Sequence, residues 1–278
     1  MKRFYQKVLQ LVSNVSLVLY FGALTILAWT WMTTSNSSMM TKRDWGTFDY
    51  LFNDIPENVS AFLDTSAHDI EVLDKAVYVQ GQLIFAIEAA PKQSVLPKSG
   101  KGVLLLHGWR SFSETWYSRL KTLQLLALLG HRAVAVDLPG LGKSSKTGFP
   151  RDLPKFLNHL LVVLFNGTKA VVVSPSYSGT FSIPLLTQEP DLFCGFVPMS
   201  PIIDIDLDGK SVKSIQVPTL IIVSDLDSPT EKESIAVLKA IPTSTEALVL
   251  EATEGSFPKD PNVFHTALYN FIEVLNCD

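Results

Sequence analysis

Two cysteines, Cys194 and Cys277, are all that the 278 residues contain. That is too few for a disulfide framework to stand in for a hydrophobic core, and whether they pair cannot be read from the sequence. Histidine is sparse as well. The five, at 68, 107, 131, 159 and 265, lack ligand-like spacing, so no metal site is expected. No basic run marks a nucleic-acid surface: 23 Lys and Arg stand against 27 Asp and Glu, a net charge of −4. No internal repeat recurs, which excludes a solenoid or a propeller. Between Val8 and Met40 charge is missing altogether, with not one Asp, Glu, Lys or Arg.

That uncharged gap is where the apolar surplus collects. Its core runs from Val15 to Met32. A helix of ~18 residues or more can cross about 30 Å of hydrocarbon. Lys2, Arg3 and Lys7 precede it, while Lys42 and Arg43 follow later and are offset by Asp44. This bias favours a cytoplasmic N-terminus. The rival is a cleaved signal peptide, whose apolar run is shorter and ends in small residues. Trp29 and Trp31 close the run here and suit a membrane interface better. The expected layout is a cytoplasmic tail at 1–8, a signal-anchor at 9–32, a polar stalk at 33–75 and a folded domain at 76–278. The whole would be a single-pass type II membrane glycoprotein with its C-terminal domain lumenal or extracellular. Sequons at Asn36, Asn58 and Asn166 would be glycosylated only after export.

Beyond the stalk, Ala76–Ile87 alternates around Gly81 and reads as a hairpin. Strands are expected at Val103–His107, Arg132–Asp137, Ala170–Val173, Phe193–Met199, Thr219–Val223 and Glu246–Leu250. Helices are expected at Thr115–Leu129, Leu153–Phe165, Tyr177–Leu186, Ser234–Ala240 and Asn262–Leu275. Alternating strands and helices with apolar strand runs imply an α/β fold, a mainly parallel sheet covered on both faces. Ligands then bind beyond the carboxyl ends of the strands.

Two segments carry chemistry. In Val171-Val-Val-Ser-Pro-Ser-Tyr-Ser-Gly-Thr180 an apolar strand stops and a serine-centred turn leads into a helix. This is the setting of a nucleophile elbow, with Ser176 lifted above the sheet. The usual glycines two residues either side are Ser174 and Ser178 here, so a plain capped strand–turn–helix is an equal alternative on this segment alone. In Val103-Leu-Leu-Leu-His-Gly-Trp-Arg110 a buried strand ends in His107-Gly108. The N–H of Trp109 can join that of Tyr177 to hold an oxyanion. The His107 side chain itself reads better as a structural hydrogen-bonding group.

Together these segments resemble a known family. Leu-Leu-Leu-His-Gly108, Ser-Glu-Thr-Trp116, Gly-His-Arg-Ala-Val-Ala-Val-Asp-Leu-Pro-Gly-Leu-Gly142, Ser-Pro-Ser-Tyr-Ser-Gly179 and Gly-Phe-Val-Pro198 follow in order. From about Val77 onward the chain is similar to α/β-hydrolase domain-containing protein 14, and the anchor points to the membrane-bound branch of that family. The resemblance implies an α/β-hydrolase fold without a sizeable cap, since only Pro201–Val217 separate the sixth and seventh strands. It implies a serine hydrolase with Ser, Asp and His in chain order, a small acyl substrate and no cofactor. Asp227, in Ser224-Asp-Leu-Asp227 after a strand, matches the family acid; Asp225 is the alternative, more naturally a capping residue. The family histidine has no counterpart: Glu254 stands at its position. His265 matches a second family histidine on the last helix. A binding protein that keeps the fold without catalysis is the competing function.

One decoy is set aside. Gly140-Leu-Gly-Lys-Ser144 resembles a phosphate loop, but Asp137 occupies the place where that pattern requires its first glycine. It is read as a structural turn.

Overall fold

The structure, a computed structural model, describes residues 63, 66–92, 100–146, 148–203, 207, 209–249, 252–253, 257–258 and 261–277. The expected anchor at 9–32, the sequons at Asn36 and Asn58, and Glu254 lie outside these residues. Among the described residues no helix is long and apolar enough to cross a membrane.

The main sheet begins with a hairpin, β1 (Ile70–Val79) and β2 (Gln82–Pro91), joined at Gln80-Gly81. Both turn residues have positive φ, at 51° and 78°. That backbone matches the twist of the flanking strands, and glycine adopts it freely. The strand starts at Ile70, earlier than the expected domain boundary at Ala76. Its early half carries Glu71, Asp74 and Lys75, which mask the alternation in sequence. Charges are tolerated there because β1 is an edge strand.

Parallel strands and helices then alternate: β3 (Gly102–Leu105), α1 (Thr122–Leu128), β4 (Arg132–Val136), α2 (Leu153–Phe165), β5 (Ala170–Pro175), α3 (Gly179–Gln188), β6 (Phe193–Met199), α4 (Gly209–Ser214), β7 (Thr219–Ser224), α5 (Pro229–Leu238), β8 (Ser244–Val249) and α6 (Pro261–Glu273). Short strands β9 (Ala252–Thr253) and β10 (Phe257–Pro258) pair with each other between β8 and α6. The main sheet has the order β1-β2-β4-β3-β5-β6-β7-β8, and only β2 runs against its neighbours.

The strand residues alternate between two cores. Val103, Leu105, Ala133, Ala135, Val171 and Val173 face α1 and α6. Leu104, Leu106, Val134, Val136, Val172 and Phe196 face α2, α3, α4 and α5. A strand buried on both faces must be apolar throughout, which is why these segments read as continuous runs. Each fully buried aliphatic side chain contributes roughly 1.5–3 kcal/mol of transfer free energy.

Three expectations about elements need correction. Thr115–Leu129 is not one helix. A wide π-helical turn, Thr115–Arg119, ends where Lys121 takes φ 56°, and α1 starts afresh at Thr122. The fifth helix starts at Pro229, not Ser234, because Ser228 and Glu231 form a capping box. A six-residue helix, α4, lies between β6 and β7 where none was expected.

Two ties brace the sheet. Glu88 on β2 pairs with Lys75 on β1 (2.8 Å) and with Arg132 on β4. Burial alone would raise its pKa, but hydrogen bonds from Arg132 and Lys75 outweigh that and lower it. At the far side Cys194 on β6 is disulfide-bonded to Cys277 beyond α6, with Cα atoms 4.9 Å apart. Gly195 permits the approach: a Cβ there would lie 2.7 Å from Leu275 Cδ1.

Candidate active site

The serine turn is built from two steric facts. Ser176 follows directly on β5 and opens a single 3-10 turn, Ser176–Ser178, that runs into α3. Its φ is 49°, in the left-handed region that costs a non-glycine residue roughly 1–2 kcal/mol. Such strain persists only where surroundings impose it. Here they do: Ser176 O accepts the Ile202 N–H at 3.1 Å, and a Cβ at Gly179 would lie 2.6 Å from Ile202 O. The chain leaving β6 therefore presses on the turn, and Gly179 must be glycine.

The two serines that replace the usual glycines are fully buried and bonded. Ser178 Oγ donates to Pro175 O (2.8 Å), Ser174 and Ser178 hydroxyls meet at 3.0 Å, and Ser174 and Ser182 hydroxyls at 2.6 Å. Ser182 Oγ also donates to Ser178 O at 3.2 Å, so three hydroxyls and two backbone carbonyls form one network. It ties the end of β5 to α3 across the turn. Polar side chains so deep are tolerated only because each is paired. Ser176 itself retains 9% exposure.

The loop after β3 is held from behind. Leu106 N–H donates to Val173 O (2.9 Å), extending the β3–β5 pairing toward the turn. Trp116 Nε1 donates to Leu106 O (2.7 Å). His107 is fully buried and structural, as expected of it. Its Nε2 accepts the Leu138 N–H (2.9 Å), so Nδ1 carries the proton and donates to Gly108 O (2.9 Å). Burial lowers its pKa, against the pull of the Gly108 carbonyl and Asp137. The loop then turns outward at Arg110, φ 64°. The rings of Trp109 and Tyr177 meet edge-on with centroids 5.1 Å apart, so the two residues expected to supply oxyanion N–H groups sit on loops in contact.

Asp227 lies beyond the carboxyl end of β7, two strands from β5 in the sheet. It is 6% exposed, and its Oδ2 accepts the Ser224 N–H at 2.8 Å. Asp225 is exposed and bonded to the Ser224 hydroxyl (3.3 Å). It does not cap α5, a role that falls to Ser228.

All five histidines are among the described residues, and each has a partner away from Ser176. His68 faces Asp69, and His159 Nδ1 accepts from Gln80 (2.7 Å). His131 Nδ1 accepts the Lys101 N–H (3.2 Å), and burial followed by the Lys101 charge lowers its pKa to about 4. It stays neutral although Glu273 Oε1 lies 3.7 Å away, because that carboxylate is half exposed and solvent-screened. His265 is buried on α6, its Nε2 3.0 Å from Thr122 Oγ1 on α1.

The glycine-rich turn after β4 is structural. Asp137 Oδ1 accepts from Ser113 N (2.7 Å) and Oδ2 from Lys143 N (2.7 Å). A carboxylate thus fills the loop where a nucleotide's phosphate would have to enter, and a side chain at Gly142 would collide with it. Among the described residues no cluster of His, Cys, Asp and Glu could hold a metal.

An eight-stranded sheet with one reversed strand and a strained serine at a strand–helix turn defines the α/β-hydrolase class. A model of the alpha/beta hydrolase family matches residues 103–262. A predicted hydrolase from Thermoplasma acidophilum shares the fold at a TM-score of 0.63 and 18% identity, covering 73% of this chain and 98% of that one. Within the class, the human protein named "Putative protein-lysine deacylase ABHD14B" is 37% identical over 217 residues, 75% of this chain and 99% of its own length. Protein ABHD14A of Danio rerio is 34% identical over 205 residues, 69% of this chain and 73% of its own. The chain belongs to the ABHD14 family of α/β-hydrolases.

Proposed function

We propose that this chain is a serine hydrolase or acyl transferase that acts on an ester, thioester or amide through Ser176. The observation that carries the reading is the left-handed Ser176 at the β5–α3 turn, strained in place at the carboxyl end of the sheet. The hydroxyl adds to the acyl carbon and the alcohol, thiol or amine leaves with the serine's proton, so that an ester on Ser176 replaces the substrate's acyl bond. The N–H groups of Trp109 and Tyr177 take up the charge that develops on the carbonyl oxygen. Asp227 is the acid of the triad. An acylated lysine amide falls within this class, and it is the bond to which the human relative's name points.

The base is the open member. Glu254 stands at the family's histidine position, and a carboxylate with an ordinary pKa of ~4.3 is a weak base at neutral pH. Turnover is therefore slow, resting on the oxyanion groups and on binding; in a triad enzyme those alone retain roughly 10³–10⁴-fold over water. The engagement of all five histidines elsewhere favours a second reading, a non-catalytic protein that binds ligands on the same fold. Labelling separates them. The purified full-length protein should react covalently with a fluorophosphonate probe, and Ser176→Ala should abolish the adduct. No adduct on the wild-type protein, or one that survives Ser176→Ala, would remove the nucleophile assignment.

We also propose that residues 9–32 anchor the protein as a single-pass type II membrane protein with the hydrolase domain lumenal or extracellular. Two features of the folded domain support this reading. A disulfide such as Cys194–Cys277 persists in oxidising compartments. The sequon residue Asn166 is exposed at the C-terminal cap of α2. In sealed microsomes the hydrolase domain should resist added protease until detergent opens the membrane. Digestion before detergent would reverse the topology.

A further inference from the structure

A row of aromatic rings starts beside the nucleophile and runs away from it along α3. Trp109, on the loop after β3, meets Tyr177 beside the nucleophile at 5.1 Å between centroids. Tyr177 meets Phe181 on α3 at 6.0 Å. Phe181 meets Phe149, in the connection from β4 to α2, at 6.2 Å. All three contacts are edge-on, so the rings pack as a continuous wall. Its middle is covered and its two ends are open: Phe181 is fully buried, whereas Trp109 is 57% and Phe149 50% exposed. About half of each end ring is left to solvent, and open aromatic surface on the side of a reactive group marks a place for apolar substrate.

The strand order decides which part of a substrate meets this wall. The nucleophile follows β5. The wall extends from it toward β3 and β4, whereas Asp227 follows β7 on the opposite side. The leaving group must take up a proton, and the positions of the triad's acid and base, Asp227 and Glu254, both follow the later strands β7 and β8 in the chain, so it faces that side. The acyl portion then faces β3 and β4. We infer that the open rings of Trp109 and Phe149, with Tyr177 between them and the buried Phe181 backing the row, form an acyl-binding wall that selects substrates with a long or aromatic acyl group over acetyl. This rests on Ser176 as the nucleophile.

The test uses full-length protein in excess over 4-nitrophenyl esters, so that release of 4-nitrophenolate reports acylation alone. A buried methylene is worth about fourfold in binding, so on a half-open wall octanoate should acylate Ser176 at least roughly 30-fold faster than acetate. Phe149→Ala and Trp109→Ala should each cut that ratio about 5–10-fold; both side chains are exposed enough for the variants to fold. A second series of acetate esters with lengthening alcohols, which varies only the leaving group, should show little chain dependence. A ratio near one, or a ratio that both substitutions leave intact, overturns the acyl wall. Chain dependence confined to the alcohol series overturns its assignment to the acyl side. Ester cleavage that survives Ser176→Ala, or a wild-type protein inert to both esters and fluorophosphonate, removes the nucleophile and the wall with it. Ser176-dependent acylation without chain preference removes the wall alone.

Discussion

Replacing Glu254 with histidine is expected to raise turnover of a small activated ester by about 10²–10⁴-fold, the contribution of a positioned general base. The expectation follows from what the described site contains. Ser176 is strained into place and the two loops that would form an oxyanion site touch each other. Asp227 is buried beyond β7, yet none of the five histidines is bonded to the serine. On the proposed assignment of nucleophile, acid and oxyanion donors, a site without a base is limited by proton transfer, and the missing group is the one whose return gains most. The gain must vanish when Ser176→Ala is added. The competing idea is that His265 serves as the base. It would have to leave its buried pairing with Thr122, and it predicts that His265→Ala alone silences the wild-type protein while Glu254→His adds little. A wild-type protein already as fast as an intact hydrolase and indifferent to His265→Ala would defeat both versions.

What could be read from the sequence follows from how local the determining forces are. β6 and α2 match their expected bounds because a fully apolar run and a capped amphipathic stretch each announce themselves within a few residues. The serine-centred turn between strand and helix was legible despite Ser174 and Ser178 because the abrupt strand–serine–helix pattern survives when the glycines do not. Why serine is tolerated was not legible: it needs Ser182, a turn farther on, to complete the hydroxyl network. The start of β1 was hidden by edge-strand charges that pair with residues far along the chain, as Lys75 does through Glu88 with Arg132. The break at Lys121 was hidden for a similar reason, since apolar spacing continues across it. Ser228-Pro-Thr-Glu231 was a local signal and was overlooked; it is a capping box with proline at the first helical position. The Cys194–Cys277 pairing required the fold, because 83 residues separate its partners. The aromatic wall also required it, since its rings come from helix α3 and from the connections after β3, β4 and β5.

Asp227→Asn should have very unequal consequences in two backgrounds, and this contrast tests the acid and the vacant base together. The acid of a triad acts through the imidazole: it fixes the tautomer and stabilises the cation, and the amide substitution in an intact triad costs about 10⁴-fold. With no imidazole to orient, that loss has no route. In the wild-type protein Asp227→Asn should therefore change kcat/KM by no more than about threefold, an order of magnitude or more below what loss of a working acid–base pair produces. The fold should survive, because an amide oxygen can still accept the Ser224 N–H that Oδ2 now accepts at 2.8 Å. In the Glu254→His background the same substitution should take away most of the gained activity, so the two changes should be strongly non-additive. A large loss in the wild-type protein would mean that an imidazole already partners Asp227, and the placement of Glu254 at the histidine position would be wrong. No loss in either background would move the acid away from Asp227, with Asp225→Asn as the next variant to measure. A loss confined to the histidine background would identify Asp227 as an acid that waits for a base this chain does not supply.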